Sequence, residues 1–277
     1  MTDVDAYRAQ GYVLLKGLFP AEEIEAIHAE AKQVFARQIV ERGLSATEDL
    51  PEPEFEDAMA RLFEEDLPRF TNCGKQAQHL VSLHRLSLDE RIVEKLRELG
   101  LSWPNISTRP VLYFNSERLA KKEVYWRLDV HQDWRSMQGS LDAVVVWIPL
   151  IDIDEKLGAL EVIPESHLWG LLDADMEDGY GHVQSDVDES QFIPVEVERG
   201  DALFFSSFLV HRSGTNVTDS IRWSCHFRYN NLAEPTFLER GYPHPYIYKP
   251  QEELITPSFP SRSDVGEVFA ARDTIAR

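Results

Sequence analysis

Near Arg109 the chain changes its period, and that change limits its architecture more than any other feature. Before it, Ile24, Ile27, Ala31 and Phe35 recur at three- and four-residue steps, which predicts a helix from about Pro20 to Glu41 with one face on a core. Similar patterns predict helices over Phe55 to Glu65, Lys75 to Leu83 and Leu88 to Leu99, following one short strand at Gly11 to Leu15. After it come β-rich runs separated by turn residues: Pro110 to Phe114, Val124 to His131, Ala143 to Ile148, Ala159 to Ile163, Ile193 to Val197, Ala202 to Ser206 and Ile221 to Tyr229. Strands that follow one another without helices between them pair antiparallel, and roughly eight suffice for a double-sheet jelly roll. The expectation is an all-β core with a helical flank, a double-stranded β-helix of the cupin-like kind whose N-terminal helices pack on the major sheet. It divides one domain over 1–277 into helical support (1–108), a jelly-roll core (109–231) and an extended C-terminal segment (232–277). The acidic stretch 173–190 is expected to be a long surface loop.

A chain of 277 residues with 43% hydrophobic residues can bury the core that one large domain needs. The formal net charge of −20 argues against a nucleic-acid partner and disfavours an anionic membrane surface, since phosphate contacts need clustered Lys and Arg. No stretch approaches the roughly 20 apolar residues of a membrane span, and the start, MTDVDAYRAQGYVLLKGLF, lacks the pattern of a signal peptide. Cys73 and Cys225 lie far apart and form no CxxC motif, which suits a reducing compartment. The expectation is a cytoplasmic protein acting on a small molecule, with no nucleic-acid or membrane partner.

His131-Gln132-Asp133 gives that small-molecule reading its chemistry. At the end of a strand, residues two apart point the same way, so His131 and Asp133 would present an imidazole nitrogen and a carboxylate oxygen to one side. His211, after the apolar run Leu203 to Val210, is the candidate second imidazole. Two histidines and one carboxylate on one face of an octahedral metal leave three positions open, the arrangement of non-heme Fe(II) oxygenases. Arg222 follows the turn Ser213-Gly214-Thr215-Asn216, and a hairpin there would bring its guanidinium towards His211. A guanidinium fork pairs with a carboxylate through two parallel hydrogen bonds. An HxD alone fits a surface pair or a buried, satisfied histidine equally well, so the surrounding motifs matter.

Four segments carry a resemblance: His131-Gln132-Asp133-Trp134, Val146-Trp147-Ile148-Pro149-Leu150, Gly158 to His167, and His211 to Asn216 with Arg222. Together with the opening Tyr7 to Val13, Leu18-Phe19 and a helix, they resemble the phytanoyl-CoA dioxygenase family of Fe(II)/2-oxoglutarate oxygenases over nearly the whole chain. The resemblance implies that His131, Asp133 and His211 hold Fe(II), and that Arg222, assisted by Ser213, binds the distal carboxylate of 2-oxoglutarate. It further implies Trp147 beside the co-substrate and Gln138 at its metal-bound end, with Tyr113 and Asn115 facing the same cavity. Arg135 and Trp134, on the rim beyond Asp133, are candidate substrate contacts, with Trp126 and Arg127 flanking the motif on its other side. His167 reads as a turn-stabilising side chain and His226 as a core histidine on the face of Arg222. The implied reaction consumes O2 and 2-oxoglutarate, releases succinate and CO2, and hydroxylates a polar small molecule or biosynthetic intermediate. Related halogenases replace the carboxylate with a small residue, so Asp133 favours hydroxylation. The rival readings are a cupin-type metal enzyme that does not use 2-oxoglutarate and a non-catalytic barrel-fold binding protein.

Overall fold

The computed structural model describes residues 2–120, 128–137, 139–175, 182–183 and 187–239. Its helices are α1 (Asp3–Gln10), α2 (Ala21–Glu41), α3 (Glu52–Glu65), α4 (Leu67–Ala77), α5 (Val81–Ser87), α6 (Glu90–Leu99), α7 (Trp134–Met137) and α8 (Pro235–Glu239). Its strands are β1 (Tyr12–Leu15), β2 (Pro104–Ile106), β3 (Val111–Asn115), β4 (Val144–Pro149), β5 (Leu160–Val162), β6 (Ala174–Asp175), β7 (His182–Val183), β8 (Ile193–Val195), β9 (Ala202–Ser206), β10 (His211–Ser213) and β11 (Arg222–Asn231).

The major sheet runs β1-β9-β4-β11-β2, with β3 also paired to β11, and the minor sheet runs β10-β5-β8. All of these pairings are antiparallel. The two sheets share one apolar cluster, to which the major sheet contributes Val145, Trp147, Leu203 and Phe205 and the minor sheet Leu160, Val162 and Val195. This is the expected jelly roll.

The other face of the major sheet is equally dry. Val144, Val146, Ile148, Phe204, Trp223, Cys225 and Phe227 pack with Ile24, Ile27, Phe35, Leu62 and Leu96 of the helices. Alternation along each strand therefore sends odd and even positions into two different cores, and a slip of one residue would exchange them. Phe35 sits at the centre of the helix–sheet contact, with ring centroids 5.4 Å from Phe70, 5.3 Å from Phe114 and 5.9 Å from Trp223. Helix α3 also fixes where β11 begins, because the buried Glu56 carboxylate accepts a 2.7 Å hydrogen bond from the Ile221 amide.

Several elements differ from the sequence expectation. The helix expected over Lys75 to Leu83 is two helices, α4 and α5, broken at residues 78–80. Helix α4 starts earlier because the Asp66 carboxylate caps the Arg69 amide at 3.2 Å and Pro68 fits the first turn. Helix α1 was not anticipated; Thr2 and Asp5 close a capping box over its first turn. The strand expected over Val124 to His131 is, in its described part, a single bridge from His131 to His211, while residues 121–127 lie outside the described residues. The described start of the C-terminal segment contains α8, and 240–277 lie outside. The acidic loop carries the small β6–β7 ladder, with 176–181 and 184–186 outside the described residues.

Phe35→Ala should open a cavity where helices meet sheet and cost about 3–5 kcal/mol. A urea midpoint equal to that of the native protein would show that the helical layer does not depend on this ring.

Candidate active site

The candidate site lies where the two sheets part. His131 and His211 exchange backbone hydrogen bonds of 3.0 and 3.2 Å, which sets their rings with centroids 4.2 Å apart. Asp133 joins them by a route the alternation argument missed. It stands in a turn, and its carbonyl accepts from the amides of Ser136 and Met137 to start α7. Turn geometry, rather than a shared strand face, turns the carboxylate towards the imidazoles. Its Oδ2 lies 3.6 Å from His211 Nε2, and one ligand atom from each of the three residues falls within 4.8 Å of the others. Among the described residues this is the one grouping of three such side chains able to hold a metal ion.

Protonation suits the same task. His131 Nδ1 lies 2.7 Å from the Asp129 carbonyl and His211 Nδ1 lies 2.9 Å from the Leu209 carbonyl. A carbonyl only accepts, so each Nδ1 carries the proton and each Nε2 keeps its lone pair, as a metal-ligating imidazole requires. Burial lowers the pKa of both rings, that of His211 to about 3. For Asp133, burial pushes the carboxyl up, and the facing Arg228 guanidinium together with the surrounding His211, His131 and His226 outweighs it and holds the group well below the usual carboxylate range. The set is two neutral imidazoles and one carboxylate, which fits ferrous iron.

Gln132 is buried and spends its whole amide on backbone. Its Nε2 donates to the carbonyls of Gly170 (2.8 Å) and Phe208 (2.7 Å), and its Oε1 accepts from the Leu172 amide (2.8 Å). The side chain between the two HxD residues thus ties that turn to the bend preceding His211 and to the loop after β5. Trp134 and Arg135 are also committed: Trp134 Nε1 donates to Gly139 O at 3.2 Å and its ring stacks on Phe208, while Arg135 donates to Leu172 O. Both hold the rim together. His167 bonds the Arg8 carbonyl at 3.2 Å, in line with a turn-stabilising role.

The co-substrate candidates converge on β11, but without a hairpin. Strand β10, which carries His211, belongs to the minor sheet and β11 to the major sheet, so Arg222 approaches from across the barrel. Its cross-strand partner is Asn115, and those of Ser224 and His226 are Tyr113 and Trp147, so these residues share one inward face. Arg222 is 1% exposed; it donates to the Gly158 carbonyl, and its Nε has no partner among the described residues. No carboxylate among the described residues pairs with it. Burial lowers its pKa to about 10, and the Tyr113 ring lies 5.7 Å from its guanidinium carbon. A buried cation with an idle donor fits an anionic ligand. Gly158 lets its own turn pack against the chain after β10: with φ at 83°, a Cβ there would stand 2.8 Å from Gly214 O.

Ser213 is buried on β10, with no hydrogen bond to Arg222 among the described residues. Gln138, Trp126 and Arg127 lie outside the described residues. His226 faces this cavity rather than the helical core, with a buried Nε2 that has no partner among the described residues. Sequence reasoning missed Ser224 and Arg228. Their even spacing from Arg222 on one strand was the available signal.

The phytanoyl-CoA dioxygenase family profile matches residues 7–224. The chain belongs to this family. It is 25% identical over 232 residues to the peroxisomal phytanoyl-CoA dioxygenase of Rattus norvegicus, covering 80% of this chain and 66% of that protein, just under two thirds of the relative's length. A methylphosphonate hydroxylase of Gimesia maris is 33% identical over 113 residues, 40% of this chain and 42% of its own. Among solved structures, the epimerase SnoN in complex with Fe3+, alpha ketoglutarate and nogalamycin RO superposes with a TM-score of 0.55 at 20% identity, over 83% of this chain and 82% of that one. That likeness carries the jelly-roll fold. No helix among the described residues is long and apolar enough to cross a membrane.

Burial lowers the pKa of His28, against Trp223 in the helical core, to about 3 as well. Both His28 and His211 have the ordinary value of 6.5 when unfolded, so between 6.5 and 3 the unfolded chain binds protons that the folded one does not. The stability gained from keeping these imidazoles neutral is complete above about 6.5 and is lost as pH falls towards 3. The metal-free protein should show a falling urea midpoint from pH 7 to pH 5, and His28→Leu should flatten that limb. A midpoint independent of pH over this range would contradict the assignment.

Proposed function

We propose that this protein is an Fe(II)- and 2-oxoglutarate-dependent dioxygenase that hydroxylates a polar small molecule or biosynthetic intermediate. The observation that carries the reading is Arg222, a buried guanidinium with an unused donor, in the same barrel as a triad of two neutral imidazoles and an ionised carboxylate. A cupin-type metal enzyme without the dicarboxylate would have no use for it. When bound, ferrous iron with 2-oxoglutarate supplies the oxidising chemistry, consuming O2 and releasing succinate and CO2 as the substrate is hydroxylated.

The chain's own residues prepare that chemistry. His131 and His211 offer Nε2 because their Nδ1 protons are engaged by backbone carbonyls. Asp133 offers Oδ2. Arg222 receives the distal carboxylate of 2-oxoglutarate through the part of its fork that Gly158 does not use, with Ser213, Tyr113 and Asn115 shaping that end of the cavity. Trp147, 3% exposed, walls the co-substrate from the apolar cluster and excludes water there. Gln138 serves the metal-bound end of the co-substrate, and Trp134 and Arg135 border the substrate's entry.

Support for a small-molecule substrate comes from the names of the similar proteins, one a methylphosphonate hydroxylase and another bound to nogalamycin RO. Hydroxylation is favoured by Asp133, which fills the position that halogenation would leave free. Cytoplasmic placement is supported by two buried, unpaired cysteines, Cys73 and Cys225.

Two measurements test the reading. Arg222→Ala should raise the 2-oxoglutarate requirement by roughly two orders of magnitude, the effect expected on losing a buried charge pair, while Fe(II) affinity stays near that of the native protein. Unchanged co-substrate affinity would remove Arg222 from the site. Candidate metabolites should then be screened for stimulated succinate release; a native protein that binds iron but never 2-oxoglutarate would return the cupin reading.

A further inference from the structure

Strand β11 carries a second guanidinium on the face of Arg222, and the family reading gives it no task. Arg228 is six residues further on, so alternation points it into the same space. Its Nε and Nη2 both donate to one oxygen of Asp133, Oδ1, at 3.1 and 2.6 Å. A carboxylate has about four lone-pair sites, two on each oxygen, so two donors leave Oδ1 no lone pair for a cation. The other oxygen, Oδ2, is the one that approaches His211 Nε2 at 3.6 Å. The division of labour within this single carboxylate is explicit: Oδ1 faces Arg228 and Oδ2 faces the imidazoles.

The pair is sheltered, with side chains 15% and 5% exposed for Arg228 and Asp133, so solvent does not screen it as it does a surface ion pair. The backbone of Arg228 is held from both sides, by the β4 register with Val145 and by a 2.9 Å hydrogen bond from the Ser107 amide to its carbonyl.

We propose that Arg228 is a positioning residue that keeps Asp133 a one-oxygen ligand and thereby preserves three open coordination positions. This inference rests on the iron and 2-oxoglutarate reading above. Chelation through both oxygens of Asp133 would fill a fourth position of six, leaving only the two that 2-oxoglutarate itself needs. Arg228 prevents that closure by occupying Oδ1. Its role is separate from that of Arg222, whose guanidinium has no carboxylate partner among the described residues.

The test uses the full chain loaded with Mn(II), a redox-inert probe, and compares the native protein with Arg228→Met and Arg228→Lys. In Arg228→Met, Mn(II) in the presence of 2-oxoglutarate should lose the water that holds the third open position in the native protein, while 2-oxoglutarate still binds through the other two. Water-proton relaxation, which reports metal-bound water, should show fewer waters on Mn(II) than in the native protein. Arg228→Lys keeps the charge without the fork and should fall between the two. A variant that folds, binds 2-oxoglutarate and keeps the native water count would overturn the proposal. So would a change confined to the urea midpoint, since that is the signature of an ion pair serving only the fold. If Arg228→Met does not fold, Arg228→Lys carries the test, with a native water count overturning the proposal and a lower one supporting it. Failure of the native protein itself to bind 2-oxoglutarate would instead defeat the functional reading on which this inference rests.

Discussion

Everything at this site depends on one strand that is covered on both faces. In β11 the odd residues Trp223, Cys225, Phe227 and Tyr229 are packed into the helical core, and the even residues Arg222, Ser224, His226 and Arg228 face the barrel interior. A strand buried on one face could tolerate a local shift by exposing something to water. Here any shift would drive guanidinium groups into an apolar cluster and a tryptophan into a polar cavity, and neither move has solvent to soften it. The helices are therefore part of the site's precision even though none of α1 to α6 contributes a ligand. Packing by Phe35 and the Glu56 bond to Ile221 set the register from outside, and Arg222 inherits it.

The minor sheet contributes in a different way. It is short, and it holds its functional residues through bridges and turns rather than long ladders. Gln132 compensates by joining three backbone segments around the HxD turn through one amide. The barrel thus has one wall fixed by register and the other fixed by side-chain staples. The metal triad belongs to the stapled wall and its neighbourhood, while the guanidinium groups belong to the register wall.

How much of this was legible in the sequence follows from the same contrast. The change of period at Arg109 gave the two layers, and the strands from Ala143 onward lie within a residue or two of their expected limits because they are buried runs with clear turns between them. His131, Asp133 and His211 were recognisable by type and order. Their geometry was not, because Asp133 leaves the strand for a turn and Arg222 sits across the barrel from His211; sequence spacing does not reveal which sheet a strand joins. The helix break at residues 78–80 was hidden in a stretch without Gly or Pro. Arg228 was overlooked although its parity with Arg222 was visible, since parity becomes informative only once the strand is known to run unbroken to Asn231.

The burial of the His131 and His211 imidazoles carries a thermodynamic consequence. In many metal sites the incoming ion must first expel protons from its ligands, so uptake depends steeply on acidity. Here the imidazoles are already neutral and the carboxylate already ionised at physiological pH. Loading the site is then a matter of stripping water from the cation and from the cavity, with no proton leaving the ligands, and its heat should not vary with the ionisation enthalpy of the buffer.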